Sequence, residues 1–111
     1  MEKKKALAAL SALGHEQRLD IFRYLVRGGP DGAVAGELAA ALNSLPNTLS
    51  ANLSVLSQAG LVVGAREGRN IRYRADMACM QDIVGFLLED CCGGDAELCE
   101  PVFAKLRPCA C

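Results

Sequence analysis

The 111-residue chain lacks most of what marks an enzyme or a membrane protein. It has a single histidine, His15, at the start of a helical pattern, where a lone histidine reads as structural. There is no nucleophile–base pair, no phosphate-cradling glycine loop and no acid pair to which a reaction could be assigned, so an enzyme and an organic cofactor are not expected. No apolar run approaches the roughly 20 residues that span a bilayer. The opening MEKKKALAALSALG imitates a signal peptide in its basic start and small residues. Its apolar positions Ala6, Ala9, Leu10 and Leu13 have helical spacing, however, and the run is only weakly hydrophobic, so it reads as an amphipathic first helix. A chain without export is expected in the cytoplasm, with its thiols reduced. Internal repeats and low-complexity tracts are absent. The last absence is local: no Lys or Arg lies between Leu45 and Ala65.

That uncharged stretch opens the segment around which the chain is organised, Ser44 to Arg74. Leu45, Leu49, Leu53 and Leu56 recur at helical spacing, with Ser44 as the expected cap and Pro46 tolerated in the first turn. Asn47, Ser50, Ser54 and Gln58 fall on the opposite side, a face of hydrogen-bonding groups without charge. Gly60 ends the helix. Leu61–Arg66 and Asn70–Arg74 then read as two short strands about the turn Glu67-Gly68-Arg69, the second presenting Arg72 and Arg74 on one face. An uncharged polar helix followed at once by an arginine-rich hairpin is the pattern of a recognition helix with a wing on DNA. Asn47, Ser50 and Ser54 are the expected readers of base edges, Thr48 and Asn52 the helpers at the backbone. Arg66, Arg69 and Arg72, with Arg74 beside them, are the expected phosphate or minor-groove contacts.

Composition fits a folded single domain, with 51% hydrophobic and 23% charged residues. The net charge of −1 conceals an asymmetry. Residues 1–74 hold ten Lys/Arg against six Asp/Glu, whereas residues 75–111 hold two against seven. The basic part coincides with the candidate DNA-binding region. A second helix is expected from His15-Glu16 to about Arg27, buried through Leu19, Phe22, Leu25 and Val26. A third is expected over Ala33–Asn43, with Val34, Leu38, Ala41 and Leu42 inward. The last helix, Met77 to Cys92, carries Met77, Met80, Ile83, Val84, Leu87, Leu88 and Cys91 on one wide arc, with Cys79 and Phe86 nearly opposite. A terminal helix apolar on two sides needs a second packing partner, and another copy of the chain is the simplest.

Five of the six cysteines lie beyond position 90. Cys91-Cys92-Gly93-Gly94 is followed by Cys99 and by Cys109-Ala110-Cys111. Adjacent helical side chains diverge, so Cys91 and Cys92 can hold one ion only if the helix unwinds, which Gly93-Gly94 permits. Three thiolates suit a soft ion, whereas structural zinc generally takes four ligands. Cys109 and Cys111 could complete a four-thiolate site or capture metal transiently. Cys79 reads as core. The acidic neighbours Glu89, Asp90, Asp95, Glu97 and Glu100 disfavour thiolates at Cys91 and Cys92, which argues against a redox-reactive pair.

LGHEQRLDIFRYLV, then AGELAAALNSLPNTLSANLSVLSQAGLV and REGRNIRYR, resemble the arsenic-responsive repressors often called ArsR/SmtB, over roughly residues 6 to 92. The resemblance implies a mainly α fold with a small β-hairpin: a winged helix-turn-helix that forms a homodimer through its first and last helices and binds a palindromic operator in double-stranded DNA. It implies a DNA-binding and dimerisation domain over residues 1–92 and a cysteine-rich tail over 93–111. For a CCGG…C ending it implies As(III) or Sb(III) as inducer, bound in a pyramid of three thiolates from Cys91, Cys92 and Cys99. Departures from the family pattern are clear. GAVAGEL stands where many members have a CVC-type cysteine pair, the last helix has no histidine for a zinc site, and Ala51-Asn52 replaces Arg-His or Phe-His. The alternative is a thiol-based redox sensor or metal buffer whose winged-helix part docks a protein partner.

Overall fold

The computed structural model describes residues 1–89 together with Glu100, Pro101, Ala104 and Lys105. Helix α1 spans Lys3–Leu13 and buries Ala6, Ala9 and Ala12. The expected stripe holds only in part, because Leu10 remains 38% exposed; the neighbouring Leu7 is 58% exposed. Alanines allow α1 to lie close against its neighbours, and the larger leucines turn away. Helix α2, Glu16–Gly28, buries Ile21, Phe22 and Leu25, whereas Leu19 and Val26 stay exposed. Arg18 Nε donates to the Ala12 carbonyl at 2.7 Å, satisfying one of the carbonyls that α1 leaves unpaired at its end.

A short 3₁₀ turn, Gly29–Asp31, leads through Gly32 into strand β1, Ala33–Val34. This corrects the expected helix start, since α3 covers only Ala35–Leu42 and buries Leu38 alone. Ala41 is exposed and Val34 and Leu42 are half-buried. Asn43 closes α3 at φ 50°, a conformation asparagine tolerates better than most residues. The Ser44 N–H reaches back to the Ala39 carbonyl at 3.0 Å. Ser44 therefore belongs to the end of α3 and does not cap the next helix. Helix α4, Pro46–Gln58, has Leu45 at its N-cap position and no side-chain cap. Leu49, Leu53 and Leu56 are buried, while Leu45 is 74% exposed. The Leu61 and Gly60 N–H groups bond the Leu56 and Ser57 carbonyls, both at 3.0 Å, and Gly60 supplies the positive φ that this closure requires.

Strands β2, Val62–Glu67, and β3, Asn70–Ala75, form an antiparallel hairpin, and β1 adds to the other edge of β3 in the order β1-β3-β2. Val62 pairs with Ala75 and Glu67 with Asn70, so Gly68-Arg69 is the two-residue turn. Gly68 takes φ 63° at the first turn position. The Asp76 carboxylate caps helix α5, Met77–Leu87, by accepting the Ala78 and Cys79 N–H groups. The helix ends at Leu87, short of the expected Cys92. Leu88 and Glu89 form a turn, and residues 90–92 lie outside the described residues. One core joins the elements, centred on the fully buried Ile21, Leu25, Leu38, Leu53, Leu56 and Leu61. On α5 only Ile83 is buried. Among the described residues no helix is long and apolar enough to cross a membrane.

Candidate nucleic-acid interface

Helices α3 and α4, joined by the tight turn at Asn43–Leu45, form a helix-turn-helix whose leucines anchor α4 to the core. That anchoring leaves Asn47, Ser50 and Ser54 exposed and Thr48 half-exposed along the outer face. These are short groups that can approach base edges closely, asparagine through a two-bond pairing with adenine and serine with any base. Asn52 departs from its expected role. It is 7% exposed, and its Nδ2 donates to Gln17 Oε1 at 3.1 Å. Instead of facing DNA, it locks α4 to α2. Asn52→Ala is expected to lower stability by about 1–2 kcal/mol, through the lost hydrogen bond and a small cavity. Urea unfolding checks this; a DNA-contact role would leave stability unchanged.

The expected wing cations are not equivalent. In the hairpin register Ala65 faces Arg72, Val63 faces Arg74 and Arg66 faces Ile71. Arg72 and Arg74 therefore share a face, as the alternation of β3 predicts, and Arg66 lies on the opposite one. Arg72 is engaged within the protein. Its Nε and Nη2 donate to the Glu67 carboxylate at 2.7 and 3.2 Å, and Nη1 donates to the Asp31 carbonyl at 3.1 Å. The hydrogen bonds from Arg72 hold the Glu67 carboxyl below the usual carboxylate range, so the clamp is complete at neutral pH and opens only in acid. In this arrangement Arg72 braces the wing against the body, a role that the expectation of a phosphate contact did not include. Arg69 occupies the tip of the turn, exposed and without a hydrogen bond among the described residues. Arg66, whose Nε donates to the Gly68 carbonyl at 3.3 Å, stands beside it. Sequence reasoning missed the brace because its third partner is a main-chain oxygen in the loop before β1.

Cys79 lies half-buried against the core. Burial, then Asp76 and Asp82, push its thiol pKa up, which suits a packing residue. Cys91, Cys92, Cys99, Cys109 and Cys111 lie outside the described residues. Among the described residues no three metal-binding side chains come together. Helices α1 and α5 pack on one another and still leave Leu7, Leu10 and Leu87 exposed.

A helix-turn-helix domain family matches residues 13–65, the span from the end of α1 into β2. Among solved structures, an ArsR-like transcriptional regulator from Rhodococcus sp. RHA1 is 26% identical, covering 94% of this chain and 84% of its own, with a TM-score of 0.64. A homodimeric winged helix-turn-helix DNA-binding domain from Mycobacterium bovis, described as a possible ArsR-family regulator, is 28% identical over 78% of this chain and 81% of its own, with a TM-score of 0.62. NolR from Sinorhizobium fredii is 31% identical over 78% and 83%, with a TM-score of 0.61. A search among curated proteins finds no match.

Proposed function

The chain belongs to the ArsR family of winged helix-turn-helix transcriptional regulators, and from that premise we propose that it is a metalloid-responsive repressor. As a homodimer it binds a palindromic operator, and it leaves the DNA when As(III) or Sb(III) binds Cys91, Cys92 and Cys99. The observation that carries the DNA half is the pairing of an exposed, uncharged polar face on α4 with the exposed arginines Arg66 and Arg69 at the tip of the adjacent wing. Such a surface draws affinity from the wing and sequence discrimination from the helix. Uncovered apolar side chains on both α1 and α5 support a second copy packed there. Dimerisation then sets two α4 helices about 34 Å apart, one turn of the duplex.

Support for the metalloid half comes from sequence chemistry. In the sequence Cys91, Cys92 and Cys99 follow α5, and the acidic residues around Cys91 and Cys92 disfavour thiolates there. Neutral As(OH)₃ exchanges its three hydroxyls for three thiols with release of water, so it needs no pre-formed thiolates. Binding just beyond the helix that joins the two copies would alter the spacing or angle of the readers. An allosteric coupling of about 1–3 kcal/mol corresponds to release by a factor of roughly 5–150.

The test is a gel shift on the gene's own upstream DNA, with and without As(III), Sb(III), Zn(II) and Cd(II). As(III) or Sb(III) is expected to release the protein. Serine at Cys91, Cys92 or Cys99 should leave DNA binding intact and abolish or blunt that release, while serine at Cys109 and Cys111 together should change it much less. If the tail pair proves essential and Cys99 dispensable, the ligand set is wrong; release by dilute peroxide but not As(III) would identify a redox switch instead.

A further inference from the structure

Three exposed apolar side chains gather around a single groove. Val26 at the end of α2, Val63 on β2 and Met77 at the start of α5 are 38%, 46% and 47% exposed. With Leu25 and Pro30 they line a depression of about 480 Å³ between the helices and the base of the wing. That volume lies within the roughly 300–1,000 Å³ typical of small-molecule sites, and an apolar floor with a few charged groups is their usual composition.

Two charged side chains, Arg74 and Asp76, edge the groove. They are not equivalent. Asp76 Oδ1 already accepts the Ala78 and Cys79 N–H groups at 3.1 and 3.2 Å, so its negative charge is matched by the N-terminus of α5. The Arg74 side chain makes no hydrogen bond or ion pair among the described residues. Its cross-strand partner is Val63, which places the guanidinium and an apolar wall on the same face of the hairpin. Beyond Arg74 a second, polar opening contains Asp31, Glu67 and Arg72, and there Arg72 holds Glu67 in a two-point ion pair. An anion entering over the apolar floor therefore meets one uncommitted cation at its end.

We infer that this groove is a ligand site separate from the thiols, taking a small carboxylic or sulfonic acid with an aromatic or branched aliphatic body. The body rests on Val26, Val63 and Met77, and the acid group accepts hydrogen bonds from Arg74. The site is lined by the end of α2, the base of the wing and the start of α5, so occupancy bears on how the wing and α5 sit on the body. On the DNA-binding reading, a bound acid also withdraws Arg74 from the phosphate backbone; ligand binding itself does not depend on that reading.

The test needs no DNA. The full chain, labelled with ¹⁵N, is titrated with 1-naphthoate and separately with neutral 1-naphthalenemethanol, and amide shifts are followed by NMR. Naphthoate is expected to bind more tightly, with shifts centred on Val63, Arg74, Ala75 and Met77. Arg74→Gln should weaken naphthoate about tenfold, the worth of a charge-assisted hydrogen bond, and leave naphthalenemethanol unchanged. Val63→Asp, a change at an exposed strand position, should abolish binding of both. Shifts centred on α1, no saturable shift into the millimolar range, or naphthoate affinity indifferent to Arg74→Gln would each overturn the assignment.

Discussion

Gly32→Ala is expected to lower stability by about 3–5 kcal/mol, the range reached when a strained backbone and a steric clash coincide. Gly32 has φ 57° and ψ −142°, a combination that L-residues essentially avoid. A Cβ built there would lie 1.9 Å from the Tyr73 carbonyl oxygen and 2.8 Å from Arg74 Cγ. The oxygen belongs to the main chain of β3, so no side-chain rotation relieves the contact. Ala33 pairs with Tyr73 immediately afterwards, and the clash must push β1 off the sheet or bend β3. For a domain of this size the midpoint should fall by about 15 °C or more. Gly68→Ala is a useful contrast, because Gly68 also has positive φ, yet a Cβ added there would meet nothing within 4 Å. It should lose only about 1–2 kcal/mol. Gly36→Ala, inside α3 with open space around it, should be neutral or gain up to about 1 kcal/mol. Thermal unfolding of the three variants checks the order. A Gly32→Ala protein as stable as Gly68→Ala would mean that β1 does not dock on β3 as described.

The docking of β1 also shows where sequence reasoning stops. Helix α4 is legible because its leucine spacing, Pro46 and Gly60 are local signals that agree with one another. Strand β1 is not, since two residues cannot display an alternation and their partners, Tyr73 and Arg72, lie about forty positions away. The first helix departs from its pattern for another reason. Hydropathy ranks leucine above alanine, but close packing takes Ala6, Ala9 and Ala12 inward and leaves Leu7 and Leu10 outside. Polarity alone likewise cannot separate Asn52 from Ser50 and Ser54. One turn position decides whether a polar side chain meets solvent or Gln17. The wing is legible as a hairpin, yet its charge pattern is not legible as function. Whether an arginine is free depends on the two-residue turn, which returns Asn70 opposite Glu67 and brings the Glu67 carboxylate to Arg72.

That last distinction gives the second large effect. Arg66→Ala combined with Arg69→Ala is expected to weaken operator binding by about a hundredfold or more at physiological salt, and to flatten the dependence of log K on log salt. Each lost phosphate contact reduces the slope by about 0.9. On the dimer reading the double change removes about four contacts, so the slope should fall by about 3.6. Uniform loss across operator variants is expected too, because phosphate contacts position the protein without reading bases. Arg72 should behave differently. If it braces the wing through Glu67 and Asp31, Arg72→Ala weakens binding with little change in slope, and Glu67→Gln weakens it in the same direction by breaking the ion pair. If Arg72 instead contacts phosphate directly, the two variants must diverge: Arg72→Ala flattens the slope, whereas Glu67→Gln strengthens binding by removing a competing negative charge. Salt titrations of the operator complex for these variants, read by fluorescence anisotropy, decide between a brace and a contact. A double Arg66/Arg69 variant with an unaltered slope would remove the tip of the wing from the DNA interface.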